Sequence, residues 1–558
     1  MLNRKKILQL CYSVMAVALI FSLQLIELKA SELDYQEQAS EIIFASLKSE
    51  PERSFLRKLY KELLFTPVWM RERSLSPAAK ELFAYIRNDA TLNKHGKLYK
   101  DNAILEQMAG NIYAENRNIY AKIGLEFKIS QLYKGYTDYA YFGSINWGAF
   151  QARISNLMVN DVSTEWVLHR PKIDPIKVVV NAAFGVSLKK QLELAVPTAY
   201  HYKALQKALV RYLQIREEGG WEPVYLSQKL KPGMRDRGVY SLRERLCATG
   251  DYQGCSESDE EDRYDQCLQD AVKHFQKRNG LKADAVVGPV TVRVLNQSVN
   301  ERITKIRLNL DRIKWLKKRN AKRHIIINIP AFRLYFEEDG KLIQTMRVIT
   351  GKPNHPTPIF SDTVEYIVLN PYWNIPKSII QKEMIPKLMK NPNAMAKQGI
   401  EIHTGWGKDA EKISGGSVNW AKWRYSKTMP FRFAQVPGTR NALGKVKFLF
   451  PNKFSVYMHD TPTKHLFKRN KRAFSHGCIR LQKPRELMRT FSTFNDNLDF
   501  DDAQKILKGK KKTYVNLKQK VPIDVVYLTA WVGYDGELQF RDDVYHYDEM
   551  QLKSFRRW

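Results

Sequence analysis

His324–Gly351 reads HIIINIPAFRLYFEEDGKLIQTMRVITG. β-Branched and aromatic residues dominate it, and Asp339-Gly340 is a turn dipeptide, so the stretch predicts strand, turn, strand. Upstream the period is different. EIIFASLKSEPERSFLRKLYKELLF (41–65) and LKKQLELAVPTAYHYKALQKALVRYLQI (188–215) repeat apolar residues three and four apart, which predicts packing helices. Phe65–Met70, FTPVWM, interrupts them with a proline-led turn. The chain is therefore read as α+β multidomain, with a mostly helical scaffold over 31–225 and a β-rich domain over 322–516. At 558 residues it is too long for one hydrophobic core.

Between these parts, after the Gly219-Gly220 turn, QCLQDAVKHFQKRNGLKADAVVGPVTVRVLN (266–296) places Leu268, Val272 and Phe275 on one short amphipathic helix. Val290, Val294 and Leu295 lie on a second, beyond a glycine-containing turn. This predicts a small helical module over 226–298, followed by a helix at 299–321 that continues the scaffold. Inside the β-rich domain, 377–441 reads as a long, polar, helical insert able to overhang a site as a lid. Residues 517–558 offer two strands around Asp535-Gly536, docked on the body.

The N-terminus carries Arg4, Lys5 and Lys6 ahead of an apolar run from Ile7 to Ile26. That is the layout of a secretory signal peptide or an uncleaved membrane anchor in residues 1–30, so the expected localisation is periplasmic, secreted across or anchored to the inner membrane. An oxidising compartment makes one disulfide among Cys247, Cys255 and Cys267 plausible, with no pairing fixed by spacing. The 91 Lys plus Arg against 58 Asp plus Glu give a formal charge of +33. With export, this favours anionic envelope polymers or lipid headgroups over nucleic acid.

Cys478 stands apart, in SHGCIRL (475–481). A thiol needs a base, because little free cysteine is thiolate at neutral pH. Two histidines are candidates: His476, two positions back, and His459, which ends the strand-like FSVYMH and can meet the cysteine through a returning loop. Gly477 lets the backbone approach a substrate and frees amides for an oxyanion hole. Lys464, Lys468, Arg469, Lys471 and Arg472 in the intervening loop are candidate cations for lowering the thiol pKa, and Arg480 suits a substrate carboxylate or a structural salt bridge. The residues by themselves point to cysteine acyl transfer, with no metal-ligand or phosphate-loop pattern.

A histidine followed nineteen residues later by the cysteine of Ser-His-Gly-Cys, here His459 and Cys478, resembles the L,D-transpeptidase (YkuD) catalytic domain. The strings TPIF, NPYWNIPKSI (370–379), QVPGTRNALG (435–444) and TAWVGYDGELQFRDDVY resemble its large YcbB-type subgroup, and AVKHFQKRNGL with VVGPVTVRVLN resembles a peptidoglycan-binding type 1 domain. The resemblance implies peptidoglycan stem peptides and glycan strands as partners and a Cys478 nucleophile activated by His459. It also implies a His476 that shapes the pocket, Gly477 and Cys478 amides at the oxyanion, and no cofactor or metal. The histidine would be oriented by a backbone carbonyl near Asp460. Substrate contacts would come from Arg480, Ser475, Tyr457, Trp373 and Asn374, and the insert would cap the cleft. The implied reaction releases terminal D-alanine and forms 3→3 cross-links, with β-lactams, carbapenems above all, as inhibitors.

Three alternatives stay open on the same residues. Water as acceptor gives an L,D-carboxypeptidase, and a lipoprotein lysine gives an anchoring enzyme. An inert Cys478 gives a non-catalytic wall-binding scaffold.

Overall fold

The computed structural model describes residues 27–115, 118–156, 165–169, 173–194, 196–253, 262–317 and 320–555. The signal or anchor segment, apart from its last four residues, lies outside the described residues, as does Cys255. The chain divides into two compact units, one spanning 1–144 and 170–197, the other 145–169 and 198–555. The helical region read as one scaffold is therefore split: residues 145–169 and 198–225 belong with the β-rich body.

The first unit is helical. Ser54, Ser76, Asn118 and Asp174 each cap a helix with a side-chain oxygen, satisfying amides that the helix itself leaves free. Leu59, Leu82, Phe83, Ile129 and Tyr133 pack its core. The FTPVWM turn is held there by Glu126, which is fully buried. Its carboxylate accepts hydrogen bonds from the amides of Val68 (2.7 Å), Trp69 (3.0 Å) and Met70 (2.7 Å) and from the Tyr60 hydroxyl (2.7 Å). Glu126→Gln turns one acceptor oxygen into a donor facing those amides. We expect it to destabilise this unit by about 1–3 kcal/mol in denaturant unfolding.

In the second unit, β1 (Arg323–Asn328), β2 (Arg333–Glu338), β3 (Lys341–Gly351), β4 (Phe360–Leu369), β9 (Val446–Leu449), β10 (Met458–His459), β11 (Ala473–Ser475), β12 (Ile479–Leu481) and β13 (Thr513–Val526) form one sheet. Their order is β11-β3-β12-β10-β9-β4-β13-β1-β2, and β2 pairs with both β1 and β3, so the sheet closes on itself. The opening stretch is thus three strands rather than two. Pro330 has no amide to donate, and Phe332 takes a left-handed φ of 49° between β1 and β2. β13 crosses the boundary expected between 516 and 517 and pairs with both β1 and β4, which makes it a central strand of the domain.

The insert also departs from the helical reading. It supplies three strands of a second sheet, β5 (Trp373–Asn374), β8 (Arg432–Gln435), β6 (Ile400–His403) and β7 (Lys412–Ile413) in that order, with β5 coming from just before the insert. A π-helical turn at Ile380–Met384 accompanies it, and its own core includes Ile380, Met384, Ile402, Trp420 and Phe433. The small module folds as expected around helices Gln266–Arg278 and Pro289–Leu295, with Leu268, Val272, Phe275 and Leu295 buried. Cys267 is disulfide-bonded and Cys247 is a free thiol. β14 (Ala530–Val532) and β15 (Leu538–Phe540) form the expected hairpin around Asp535-Gly536.

Candidate active site

Strand alternation assigns the site residues. Val446 and Phe448 on β9, Met458 on β10, and Ile479 and Leu481 on β12 point into the closed core. Residues one position away face the opposite side of the sheet. That outer face therefore collects Lys447, Tyr457, His459, Cys478 and Arg480. β10 and β12 run parallel, with Met458 opposite Ile479 and His459 opposite Arg480. Cys478, just before β12, is thus the diagonal neighbour of His459 on the same face.

His459 is buried, and its Nδ1 lies 2.5 Å from the Asp460 carbonyl oxygen. A carbonyl only accepts, so Nδ1 carries the proton and Nε2 keeps its lone pair. Burial, then the neighbouring Arg480, pushes the imidazole down to about 3, leaving it a neutral base. The carbonyl expected near Asp460 is that of Asp460 itself. Its carboxylate instead fixes its own turn, accepting from the amides of Lys445 (3.0 Å) and Thr461 (2.7 Å) and pairing with Lys464 (2.5 Å).

Cys478 is half-buried, and its Sγ lies 3.9 Å from the Ser455 carbonyl. Among the described residues, no hydrogen bond joins the thiol to His459. Burial raises the thiol pKa, while Tyr457, Lys447 and Arg480 lower it. The Tyr457 ring sits 5.6 Å from that of His459, centroid to centroid.

Several expected roles change. Ser475 is buried rather than open to substrate: its hydroxyl donates to the Cys478 carbonyl (2.6 Å) and accepts from the Gly477 amide (3.2 Å). The Gly477 amide is thereby occupied inside the turn, so it is not a free oxyanion donor in this state. Gly477 takes φ of +111°, a conformation that favours glycine. The loop cations do not surround the thiol. Arg472 bonds the carbonyls of Phe332, Val348, Arg469 and Asn470, and Lys464 serves Asp460. Trp373 and Asn374 pair with Gln435 and Ala434 in the insert sheet, and nothing among the described residues joins them to Cys478. Arg480 bonds only the Thr463 hydroxyl (3.3 Å) and has no carboxylate partner among the described residues, which leaves it available to an anion.

Other residues were missed by the sequence reading. His476 Nε2 lies 3.1 Å from Glu383 in the π-helical turn of the insert, and its ring is 4.9 Å from that of His355. The insert is therefore tied directly to the Ser-His-Gly-Cys turn. Thr357, the first residue of TPIF, donates to the Gly477 carbonyl (2.8 Å) and accepts from the Gly351 amide (2.9 Å). Thr357→Val leaves both groups buried and unpaired. We expect about 1–3 kcal/mol of lost stability and a roughly tenfold slower alkylation of Cys478, read by intact mass.

Residues 322–507 match the family model "L,D-transpeptidase catalytic domain" (YkuD). Residues 54–209 match "Scaffold domain", and 235–295 match "Putative peptidoglycan binding domain". A Haemophilus influenzae protein named "Putative L,D-transpeptidase" is 30% identical over 246 residues, 44% of this chain and 48% of that protein. The chain thus spans about half the length of the curated relative it matches. An L,D-transpeptidase from Stackebrandtia nassauensis is 15% identical over 54% of this chain and 96% of its own, with a TM-score of 0.20. L,D-transpeptidase 3 from Mycobacterium tuberculosis, solved with a faropenem-derived adduct, is 14% identical over 37% and 60%, with a TM-score of 0.17. The chain carries a YkuD L,D-transpeptidase catalytic domain together with a peptidoglycan-binding type 1 domain. Residues 322–507 are thus similar to a family of enzymes, the L,D-transpeptidases.

Proposed function

We propose that this chain is a peptidoglycan L,D-transpeptidase of the large YcbB type that forms 3→3 cross-links through a cysteine acyl-enzyme. The observation that carries the reading is the neutral, carbonyl-anchored His459, diagonal to Cys478 on the outer face of the sheet. In the first step Cys478 Sγ attacks the carbonyl of the third stem residue. The thiol proton passes to His459 Nε2, the carbon–nitrogen bond to the terminal D-alanine breaks, and the proton returns to the leaving amine. In the second step a side-chain amine of a neighbouring stem attacks the thioester, loses its proton to His459 and releases the thiol. The Cys478 amide and the Gly477 turn stabilise the oxyanion, the latter after the Ser475 bond opens. Arg480 receives a stem carboxylate, and the insert closes over the bound stem through Glu383 and His476.

The module at 226–298 holds the glycan mesh, and the basic surface favours the acidic wall. The N-terminal segment delivers the chain to the periplasm, where it contacts the inner membrane if uncleaved. β-Lactams, carbapenems included, acylate the same thiol because their strained amide reacts as the stem carbonyl does.

Incubation with disaccharide-tetrapeptide, read by mass spectrometry, tests the reading. A cross-linked dimer lacking one D-alanine is the expected product. A tripeptide monomer would assign an L,D-carboxypeptidase instead, and transfer only to a lipoprotein lysine would assign an anchoring enzyme. No Cys478-dependent product under any condition would leave a wall-binding scaffold.

A further inference from the structure

Lys447 belongs to none of the motifs, yet it occupies the centre of the outer face. β9 and β10 run antiparallel and place it directly opposite His459. Its ammonium stands 3.5 Å from the centroid of the Tyr457 ring, the ring that also lies against His459. The residue is half-buried, and among the described residues its ammonium has neither a carboxylate partner nor a hydrogen-bond acceptor. A buried cation without a counter-charge is costly, and of the ionisable groups that act on Lys447 across this shared face, Cys478 is the one that favours its charge.

We propose that Lys447 is a positioning residue of the active site: held against the Tyr457 ring, its ammonium is the counter-charge of the Cys478 thiolate, a role that protonated His459 does not fill. The proposal rests on Cys478 being the reactive thiol and goes beyond the reaction assigned to it. Lys447 transfers no proton. The thiol proton still leaves to His459 in the attack, and Lys447 stabilises the sulfur charge that develops.

The surrounding charges agree. Burial pushes Lys447 down to about 8, Cys478 pulls it up, and Lys512 pushes it down again, so it remains largely cationic at neutral pH. On the face of the sulfur are Arg480 on β12, His459 on β10 with Tyr457 just before it, and Lys447 on β9. His476 beside it is engaged by Glu383, with Lys352 nearby. Of the two cations that lower the thiol, Lys447 comes before Arg480. A cation over an aromatic face in a partly desolvated site keeps its place without a carboxylate that would neutralise it.

The test is the rate of Cys478 alkylation by iodoacetamide as a function of pH, followed by intact mass on the full chain, with Cys478→Ala as the blank. Lys447→Met, similar in length and uncharged, should move the alkylation profile to higher pH by about one unit and slow the reaction roughly tenfold at pH 7.5. Lys447→Arg should stay within about threefold of the parent. An unmoved profile in folded Lys447→Met overturns the proposal. So does a profile that moves equally in Lys447→Arg, because that reports packing rather than charge. If Lys447→Met does not melt cooperatively, Lys447→Gln carries the same comparison. Iodoacetamide needs no stem peptide, so the Lys447 effect stands or falls independently of turnover. A Lys447 effect without cross-linking counts against the transpeptidase reading alone.

Discussion

Cys478→Ala is expected to lower acyl transfer on disaccharide-tetrapeptide by at least about 10⁴-fold, with no carbapenem adduct in the intact mass. The substitution removes one half-buried sulfur that lies 3.9 Å from the Ser455 carbonyl and beside Tyr457, so the fold should survive with a stability change within about 1 kcal/mol. The turn around it is held by groups the substitution does not touch, the Ser475 hydroxyl and Thr357. Co-sedimentation with purified sacculi should therefore be unchanged, since the 226–298 module has its own core. Loss of chemistry with retained pelleting separates catalysis from binding. Retained cross-linking would exclude Cys478 as the nucleophile, and lost pelleting would show that the substitution unfolds more than the site.

His459→Gln is expected to slow cross-linking by about 10²–10⁴-fold, the range of a positioned general base. The imidazole is pushed down to about 3 while the thiol is raised, so no thiolate–imidazolium pair is present at rest. The proton moves only as the sulfur–carbon bond forms. Turnover should accordingly suffer far more than iodoacetamide alkylation, which responds mainly to the standing thiolate population. The pH profile follows with a definite sign. An imidazole depressed below its usual value near 6.5 is already unprotonated there, so kcat/KM should show no acid limb near 6.5 attributable to His459. Between pH 5 and 8 the thiol and the imidazole both stay neutral, the forms that react together, so kcat/KM should be nearly flat there. A clear acid limb near 6.5 that disappears in His459→Gln would mean the histidine titrates normally, against the buried geometry.

The reaction class was legible because the motif is local. Cys478, His476 and Gly477 sit in one turn, and the β-period around His459 and Ile479 is visible as alternation. Lys447 carried the same signal, lying between Val446 and Phe448 in GKVKFLF. That alternation says only that it shares a face, and the face became the site when β9 paired with β10. Glu383 and Thr357 lie far from Cys478 along the chain, and no local period links them to it.

Composition and periodicity thus determined the succession of helical scaffold, small helical module and β-rich domain. The Ser-His-Gly-Cys turn with its upstream histidine determined the candidate nucleophile and base. The helical and strand periods and the Ser-His-Gly-Cys turn depend on residues within a turn or a strand of each other, and His459 is joined to Cys478 by a fixed spacing of nineteen residues. Only the tertiary structure decided that β13 runs through the middle of the sheet and that the scaffold divides between two units. It likewise decided that the Ser475 hydroxyl takes up the Gly477 amide and that Lys447 lies opposite His459 on the face that carries Cys478. Those outcomes follow from which strands pair and which buried polar groups find partners, and both are set by contacts between distant parts of the chain.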